Sequence, residues 1–138
     1  PAGTGGYALQ VGSSSGFNPS DNSTFYYGCF PALTASTVAG TARCYIPKGG
    51  TVTAVYGAFS NAGTPGSGET STINFRLNNS TNTLVAAGVT NTAVVTTFSN
   101  SGLSITVAAG DFFELQWVTP TWATNPTAVR LAAVLYVQ

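Results

Sequence analysis

The chain has 138 residues, of which 43% are hydrophobic and only 6% are charged, with four basic side chains, four acidic ones, no His and zero net charge. This length fits one domain with one hydrophobic core. A chain without excess positive charge is a poor partner for nucleic acid or for an anionic membrane. Apolar stretches of only a few residues exclude a transmembrane helix, and without His a Ser–His or Cys–His nucleophile is excluded.

Residues 1–20 are rich in Gly, Ser and Ala, and we interpret them as an irregular N-terminal segment with one short strand at 7–11. The rest of the chain alternates short β-type runs with Gly-, Asn- and Ser-rich turns. The predicted strands cover residues 25–30, 42–46, 51–59, 72–77, 83–86, 93–98, 103–107, 112–119 and 129–137. Such short strands at regular spacing, with no amphipathic helix pattern, predict an all-β fold for residues 21–138, a two-sheet jelly-roll β-sandwich.

The two cysteines, Cys29 and Cys44, fall in separate predicted strands. They fit either two small buried core residues or a single disulfide bridge, and the sequence favours the core residues. Two cysteines without any His lack the ligand count of a structural zinc site. We therefore expect no metal and no cofactor.

Alternation in the run 112–118 predicts one buried face and one face that is partly exposed to solvent. The odd-numbered residues of this run are apolar, whereas the even-numbered ones include Glu114 and Gln116. Asp111 precedes the run in a turn position that Asp favours. Paired carboxylates can hydrolyse glycosides, but a turn Asp and a solvent-facing Glu explain Asp111 and Glu114 better, so no catalytic residue is assigned.

Two other runs are apolar on both faces. In 129–138 the second face carries Val134 and Tyr136, and in 51–59 it carries Val52, Ala54, Tyr56 and Ala58. A strand that is apolar on both faces is buried on both faces. In a two-layer sandwich the second face needs a cover from outside the domain, which we expect to be another copy of the chain. The residues expected at this subunit interface are Tyr56, Phe112, Val134 and Tyr136.

Three arginines stand alone in apolar surroundings, at positions 43, 76 and 130. A buried or interfacial Arg needs a partner of opposite charge. We expect at least one Arg–carboxylate pair, placed across a subunit boundary.

The run between the last two strands contains Trp122 together with Thr121, Thr124 and Asn125. An aromatic face with uncharged hydrogen-bonding neighbours suits a neutral saccharide, so these four residues are the candidate ligand-binding site. Trp122 lies between two prolines, however, and it fits equally a plug that closes the end of the sandwich. The sequence favours the plug.

Six segments occur in an order that resembles a known family. They are YYG at 26–28, YIPKGGT at 45–51, FRLNN at 75–79, SNSGLSI at 99–105, VAAGD at 107–111 and PTWATNP at 120–126. Together they resemble the C-terminal jelly-roll domains, of the tumour-necrosis-factor-like kind, of bacteriophage tail fibres and related virion appendages. The resemblance supplies no catalytic residue.

The resemblance implies a homotrimer and a non-enzymatic structural role in a virion, where the protein is assembled in the host cytoplasm and then exposed outside. The expected role is a tail-fibre tip that contacts the host surface. Its partners would be copies of itself, other virion proteins and a host cell-surface glycan. The alternative is a trimeric capsid decoration (cement) protein with a purely structural role.

Overall fold

A computed structural model describes residues 5–29, 34–63, 69–91 and 94–138. All the predicted strands are present, although Phe30 and Ala93 lie outside the described residues. No described helix is long and apolar enough to cross a membrane. The strands are β1 (Tyr7–Gly12), β2 (Thr24–Tyr27), β3 (Cys44–Tyr45), β4 (Gly50–Ala62), β5 (Ser71–Leu77), β6 (Thr81–Val89), β7 (Val95–Asn100), β8 (Ile105–Val107), β9 (Phe112–Val118) and β10 (Thr127–Val137), with a 3-10 turn at Ala39–Thr41.

The strands form two five-stranded antiparallel sheets. In sheet 1, β10 lies between β1 and β4, and β7 and β8 both pair with β4. In sheet 2, β9 pairs with β2 and β3 on one side and with β5 on the other, and β6 pairs with β5. If β2–β3 and β7–β8 each count as one strand, the first strand pairs with the last, the second with the seventh, the third with the sixth and the fourth with the fifth. This nested pairing gives the predicted two-sheet jelly roll.

The first strand, β1, is one edge of sheet 1. It pairs with β10 in continuous antiparallel register, from Tyr7 opposite Val137 to Gly12 opposite Ala132. The irregular segment expected at residues 1–20 therefore contributes one regular strand to the sandwich.

Aromatic side chains fill the space between the two sheets. Phe59 of sheet 1 and Trp117 of sheet 2 have ring centroids 4.7 Å apart, and Phe75 and Phe113 stack at 4.9 Å. Each of these four side chains is at most 1% exposed. Burying one large apolar side chain stabilises a fold by about 1.5–3 kcal/mol, so this cluster is a principal source of stability.

The predicted face of Val52 is wrong. Alternation places Val52 on the outer face of sheet 1 with Tyr56, but the side chain of Val52 is fully buried. The pairing of β10 with β4 shifts by one residue, since Tyr136 lies opposite Ala54 and Val137 lies opposite Val52. A shift of one residue turns a side chain to the other face of the sheet.

A disulfide joins Cys29, which follows β2, to Cys44 in β3, and their Cα atoms are 5.1 Å apart. This separation lies in the usual range for a disulfide. The reduced pair that the sequence favoured is therefore not what the structure contains. Since β2 and β3 both pair with β9, the two ends of the segment between them are brought together.

Candidate functional site

The loop 119–126, which carries the predicted ligand-binding residues, is fixed by carboxylates from other loops. Asp21 Oδ1 accepts a hydrogen bond from the main-chain N–H of Trp122 at 3.2 Å. Glu69 Oε1 accepts one from the N–H of Ala123 at 2.6 Å. Charge-assisted hydrogen bonds of this kind are stronger than neutral ones, so the loop has a defined conformation.

The three polar candidates of this loop are exposed, but two of them hold the loop in place. Thr121 Oγ1 accepts a hydrogen bond from Asn22 Nδ2 at 2.8 Å. Asn125 Nδ2 donates to the carbonyl oxygen of Pro19 at 3.0 Å. Thr124 is therefore the candidate that a ligand can contact without competing for these bonds.

The side chain of Trp122 lies against the core. It is 5% exposed, and its ring centroid is 6.3 Å from that of the buried Trp117. An indole in this position closes the end of the sandwich, which is the plug interpretation. It presents no open ring face on which a sugar could stack, so the structure gives no support to Trp122 as a stacking platform.

Three of the four predicted interface residues form one patch on the outer face of sheet 1. Val134 of β10 lies opposite Tyr56 of β4, and Tyr136 is next along β10 on the same face. The rings of Tyr56 and Tyr136 meet edge to face with centroids 6.0 Å apart, and the two residues are 47% and 43% exposed. Arg130, at one end of β10, is the one charged residue in the strands of this sheet.

The fourth predicted interface residue, Phe112, does not belong to this patch. It lies in β9 of sheet 2, where it pairs with Tyr45 of β3. The guanidinium carbon of Arg43 lies 4.1 Å from the centroid of the Phe112 ring. Phe112 is thus partly covered by its own chain on the opposite side of the sandwich, and it cannot share a single flat interface with Tyr56.

Glu114, predicted to face solvent, is fully buried on the outer side of β9. Arg43 covers it, with 3.5 Å between Arg43 Nε and Glu114 Oε1, while the Arg43 side chain remains 32% exposed. Burial raises the pKa of Glu114, and the positive charges of Arg43 and then Arg76 oppose this shift. The expected Arg–carboxylate pair therefore exists within one chain.

Further polar side chains complete the outer face of sheet 2. Gln116 is 7% exposed, and its Oε1 accepts hydrogen bonds from Asn74 Nδ2 at 2.9 Å and Asn82 Nδ2 at 3.3 Å. Arg76 donates to the hydroxyl of Tyr26 at 3.3 Å. Sequence reasoning missed this network, although polar residues at alternate positions of two predicted strands were a signal for it.

Asp111 has the predicted turn position. Its carboxylate accepts hydrogen bonds from the N–H of Ala108 at 2.7 Å and from Asn78 Nδ2 at 3.0 Å. These two bonds, the first above all, lower the pKa of Asp111. The carboxylate is thus engaged in its own turn.

The comparisons with known proteins concern the fold. No protein-family model matches the chain, and no curated protein matches it in sequence. The crystal structure of FLHE is similar over 98% of this chain and 99% of that chain, with a TM-score of 0.54 and 11% sequence identity. The isomalto-dextranase of Arthrobacter globiformis T6, complexed with panose, aligns with 98% of this chain and 24% of that chain, at a TM-score of 0.31 and 20% identity. The likeness to FLHE shows a shared sandwich of two antiparallel sheets.

Proposed function

We propose that this chain is a non-enzymatic structural protein of a virion that assembles as a homotrimer through the outer face of sheet 1 and forms a tail-fibre tip. The observation that carries the self-association is the uncharged patch of Tyr56, Val134 and Tyr136. Exposed apolar patches of several hundred Å² on a soluble protein mark interaction sites. Both tyrosines keep more than two-fifths of their surface exposed in the single chain.

The contacts of the carboxylates support a role without catalysis. Asp21, Glu69 and Asp111 each accept main-chain hydrogen bonds. Glu114 is buried under Arg43. A general acid or base needs a carboxyl group within reach of a substrate proton, and these carboxyl groups have structural contacts instead.

The virion assignment rests on the sequence resemblance, and the disulfide is compatible with it. Disulfides persist in oxidising surroundings, which include secreted proteins and virion surfaces. The Cys29–Cys44 bridge thus agrees with a protein that is exposed outside the cell after assembly. The homotrimer is the stoichiometry that the resemblance implies.

Sedimentation equilibrium tests the assembly. At micromolar concentration we expect the mass of three copies of the 14.0 kDa chain. Val134→Asp should yield monomers, because it would bury an unpaired charge in the interface. The matched control is Val118→Asp, since Val118 is 37% exposed on the outer face of sheet 2. A wild-type chain that stays monomeric, or equal effects of the two variants, would contradict the proposal.

The burial of Trp122 favours a second candidate function, a trimeric capsid decoration protein with a purely structural role. A loop without an exposed aromatic ring lacks the strongest element of a sugar-binding surface. The polar groups of Thr121 and Asn125 are already used within the chain. This candidate needs the same self-association but no host glycan.

Attachment to host cells separates the two candidates. Thr124→Arg places bulk and charge on the exposed part of the loop 119–126, so it should weaken attachment of a fibre tip. The control Thr81→Arg changes the exposed start of β6, at the opposite end of sheet 2. If both variants attach like the wild type, this loop makes no host contact and the decoration role is favoured.

A further inference from the structure

Two shallow depressions lie side by side along β1 and β10 on the outer face of sheet 1. The first is a cavity of about 300 Å³ bordered by Gln10, Tyr56, Ala132 and Val134. The second, of about 360 Å³, is bordered by Ala8, Tyr136 and Gln138, among others. Neither cavity is lined by a charged residue.

The depressions arise because small residues lie beside large ones across three neighbouring strands. In one row across the sheet, Gly12, Ala132 and Ala58 are paired side by side, and none of them projects far from the sheet. The next rows carry Tyr56 and Tyr136. This face therefore carries the projecting rings of Tyr56 and Tyr136, which we call the tyrosine ridge, with a depression beside each ring.

Each depression also offers a hydrogen-bonding amide. Gln10 borders the first cavity and Gln138 borders the second, and both residues are exposed. A tyrosine that becomes buried at an interface usually finds a partner for its hydroxyl group. Two rings, two cavities and two amides therefore stand on one part of this face, while the charged Arg130 lies farther along β10.

We infer that the tyrosine ridge of one copy of the chain seats in the depressions of a neighbouring copy, where the Gln10 and Gln138 amides bind the tyrosine hydroxyls. This inference rests on the proposed self-association. The occupant is a second copy because the face carries both the projecting shape and its complement. The ridge and the cavities carry no charged side chain, so no like charges meet where they join.

The first test fills the first depression and leaves the two tyrosines of the ridge unchanged. Ala132→Phe should weaken association by at least about 30-fold, which corresponds to the loss of one interface hot spot. Tyr56→Ala removes part of the ridge and should weaken association to a similar extent. The control Val118→Phe adds bulk to the outer face of sheet 2 and should leave association unchanged. Sedimentation velocity measures association, and circular dichroism verifies that each variant is folded.

A mixing experiment gives an independent readout. A Tyr136→Ala copy lacks part of the ridge but keeps the first depression, which Tyr136 does not border, and an Ala132→Phe copy keeps the ridge. A mixture of the two should therefore form pairs that neither forms alone. If Ala132→Phe does not fold, Gln10→Ala weakens the same seat without adding bulk and should reduce association by about 5-fold, one hydrogen bond.

The outcomes distinguish this inference from the proposed function. If Val134→Asp disrupts the assembly while Ala132→Phe and Tyr56→Ala associate like the wild type, the seating of tyrosines in the depressions is wrong and self-association stands. If the wild-type chain is monomeric at all concentrations tested, both are wrong.

Discussion

The outer face of sheet 2 carries a network of polar and charged side chains at its centre, with Tyr45 and Leu84 exposed beside it at 61% and 51%. The outer face of sheet 1 instead carries an uncharged patch with two exposed tyrosine rings. On sheet 2, the buried Glu114 lies under Arg43, and the buried Gln116 accepts two amide hydrogen bonds. On sheet 1, Tyr56 and Tyr136 contact each other but remain 47% and 43% exposed.

This difference shows that the two faces meet different requirements. A polar network on a sheet face is stable when each member has a partner. On sheet 2, Gln116 and Arg76 have hydrogen-bond partners in the same chain. The buried Glu114 oxygens accept no hydrogen bond from the described residues and are compensated by the charge of Arg43. An uncharged aromatic face cannot be satisfied by hydrogen bonds within its own chain. It is stabilised only when another surface buries it. We therefore expect the partner to bind the tyrosine patch of sheet 1.

The largest expected effect on sheet 2 comes from Arg43→Met. Removal of one member of a buried ion pair costs about 3–5 kcal/mol, because the other charge stays buried without a partner. We expect a loss near 3 kcal/mol, since Arg43 is partly exposed. Urea denaturation at pH 7 and one fixed protein concentration measures this loss, as association also stabilises the folded state.

Two controls accompany this variant. Arg130→Met removes an Arg that has no ion pair among the described residues, and it should change stability by less than about 0.5 kcal/mol. At pH 4 the Arg43→Met loss should shrink, because a protonated Glu114 no longer needs a cation. A loss below about 1 kcal/mol at pH 7 would mean that sheet 2 does not depend on this pair.

The disulfide should contribute almost as much to the free energy of unfolding as the Arg43–Glu114 pair. Replacement of both Cys29 and Cys44 by Ala releases a loop with a sequence separation of 15. Loss of this constraint costs about 2–3 kcal/mol in the chain-entropy account. Since Arg43 adjoins Cys44, the cost should add less than fully to that of Arg43→Met. Fully additive losses in urea denaturation would show that the two contacts act separately.

A smaller effect concerns the pH dependence of stability through Glu114. Its pKa in the folded protein is raised above 4.5 by burial, against the pull of Arg43 and Arg76. The folded state then holds the proton more tightly than the unfolded state, so this carboxyl contributes stability below pH 4.5 that is lost as the pH rises through the folded pKa. As the pH rises from 4.5 through the folded pKa, the free energy of unfolding of the wild type should fall relative to that of Glu114→Gln. A constant difference between pH 4 and 7 would contradict the prediction.

The smallest effect should come from Asp111→Asn, at an exposed turn between the two sheets. Hydrogen bonds from Ala108 N–H and Asn78 lower the pKa of Asp111 below 3.8. A lowered pKa gives stability that is present above pH 3.8 and is lost as the pH falls through the folded pKa. The variant should therefore be slightly less stable than the wild type at pH 6, with the deficit shrinking towards pH 2. A deficit that grows with acid would show that the carboxylate is not favoured by its turn.

The local pattern of the sequence predicted the strands and most of their faces. In β9, alternation correctly assigned Phe113 and Trp117 to the core, because side chains alternate along any strand. It also separated Phe112 from these core residues. Alternation cannot tell which sheet a strand joins, however, and for this reason it could not reveal that Phe112 and Tyr56 lie on different sheets.

The remaining errors have long-range causes. Glu114 is buried because Arg43, from a distant loop, folds over β9. Val52 faces inward because of a register shift against β10 that no local pattern reveals. The position of Trp122 depends on Asp21, which is about a hundred residues away in sequence. Such contacts are properties of the assembled fold.

The pairing of β1 with β10 has a consequence for how the chain folds. Tyr7 lies opposite Val137, so β1 can pair in sheet 1 only after the chain as far as β10 is available. In a fold dominated by contacts between distant residues, the chain loses entropy in closing long loops before the stabilising contacts form. Such proteins reach the native state in milliseconds to seconds. During synthesis β10 emerges after the other strands of the sandwich, and until then β4 lacks its pairing partner on that side. Aggregation therefore competes with folding most strongly in the interval before β10 pairs with β1 and β4.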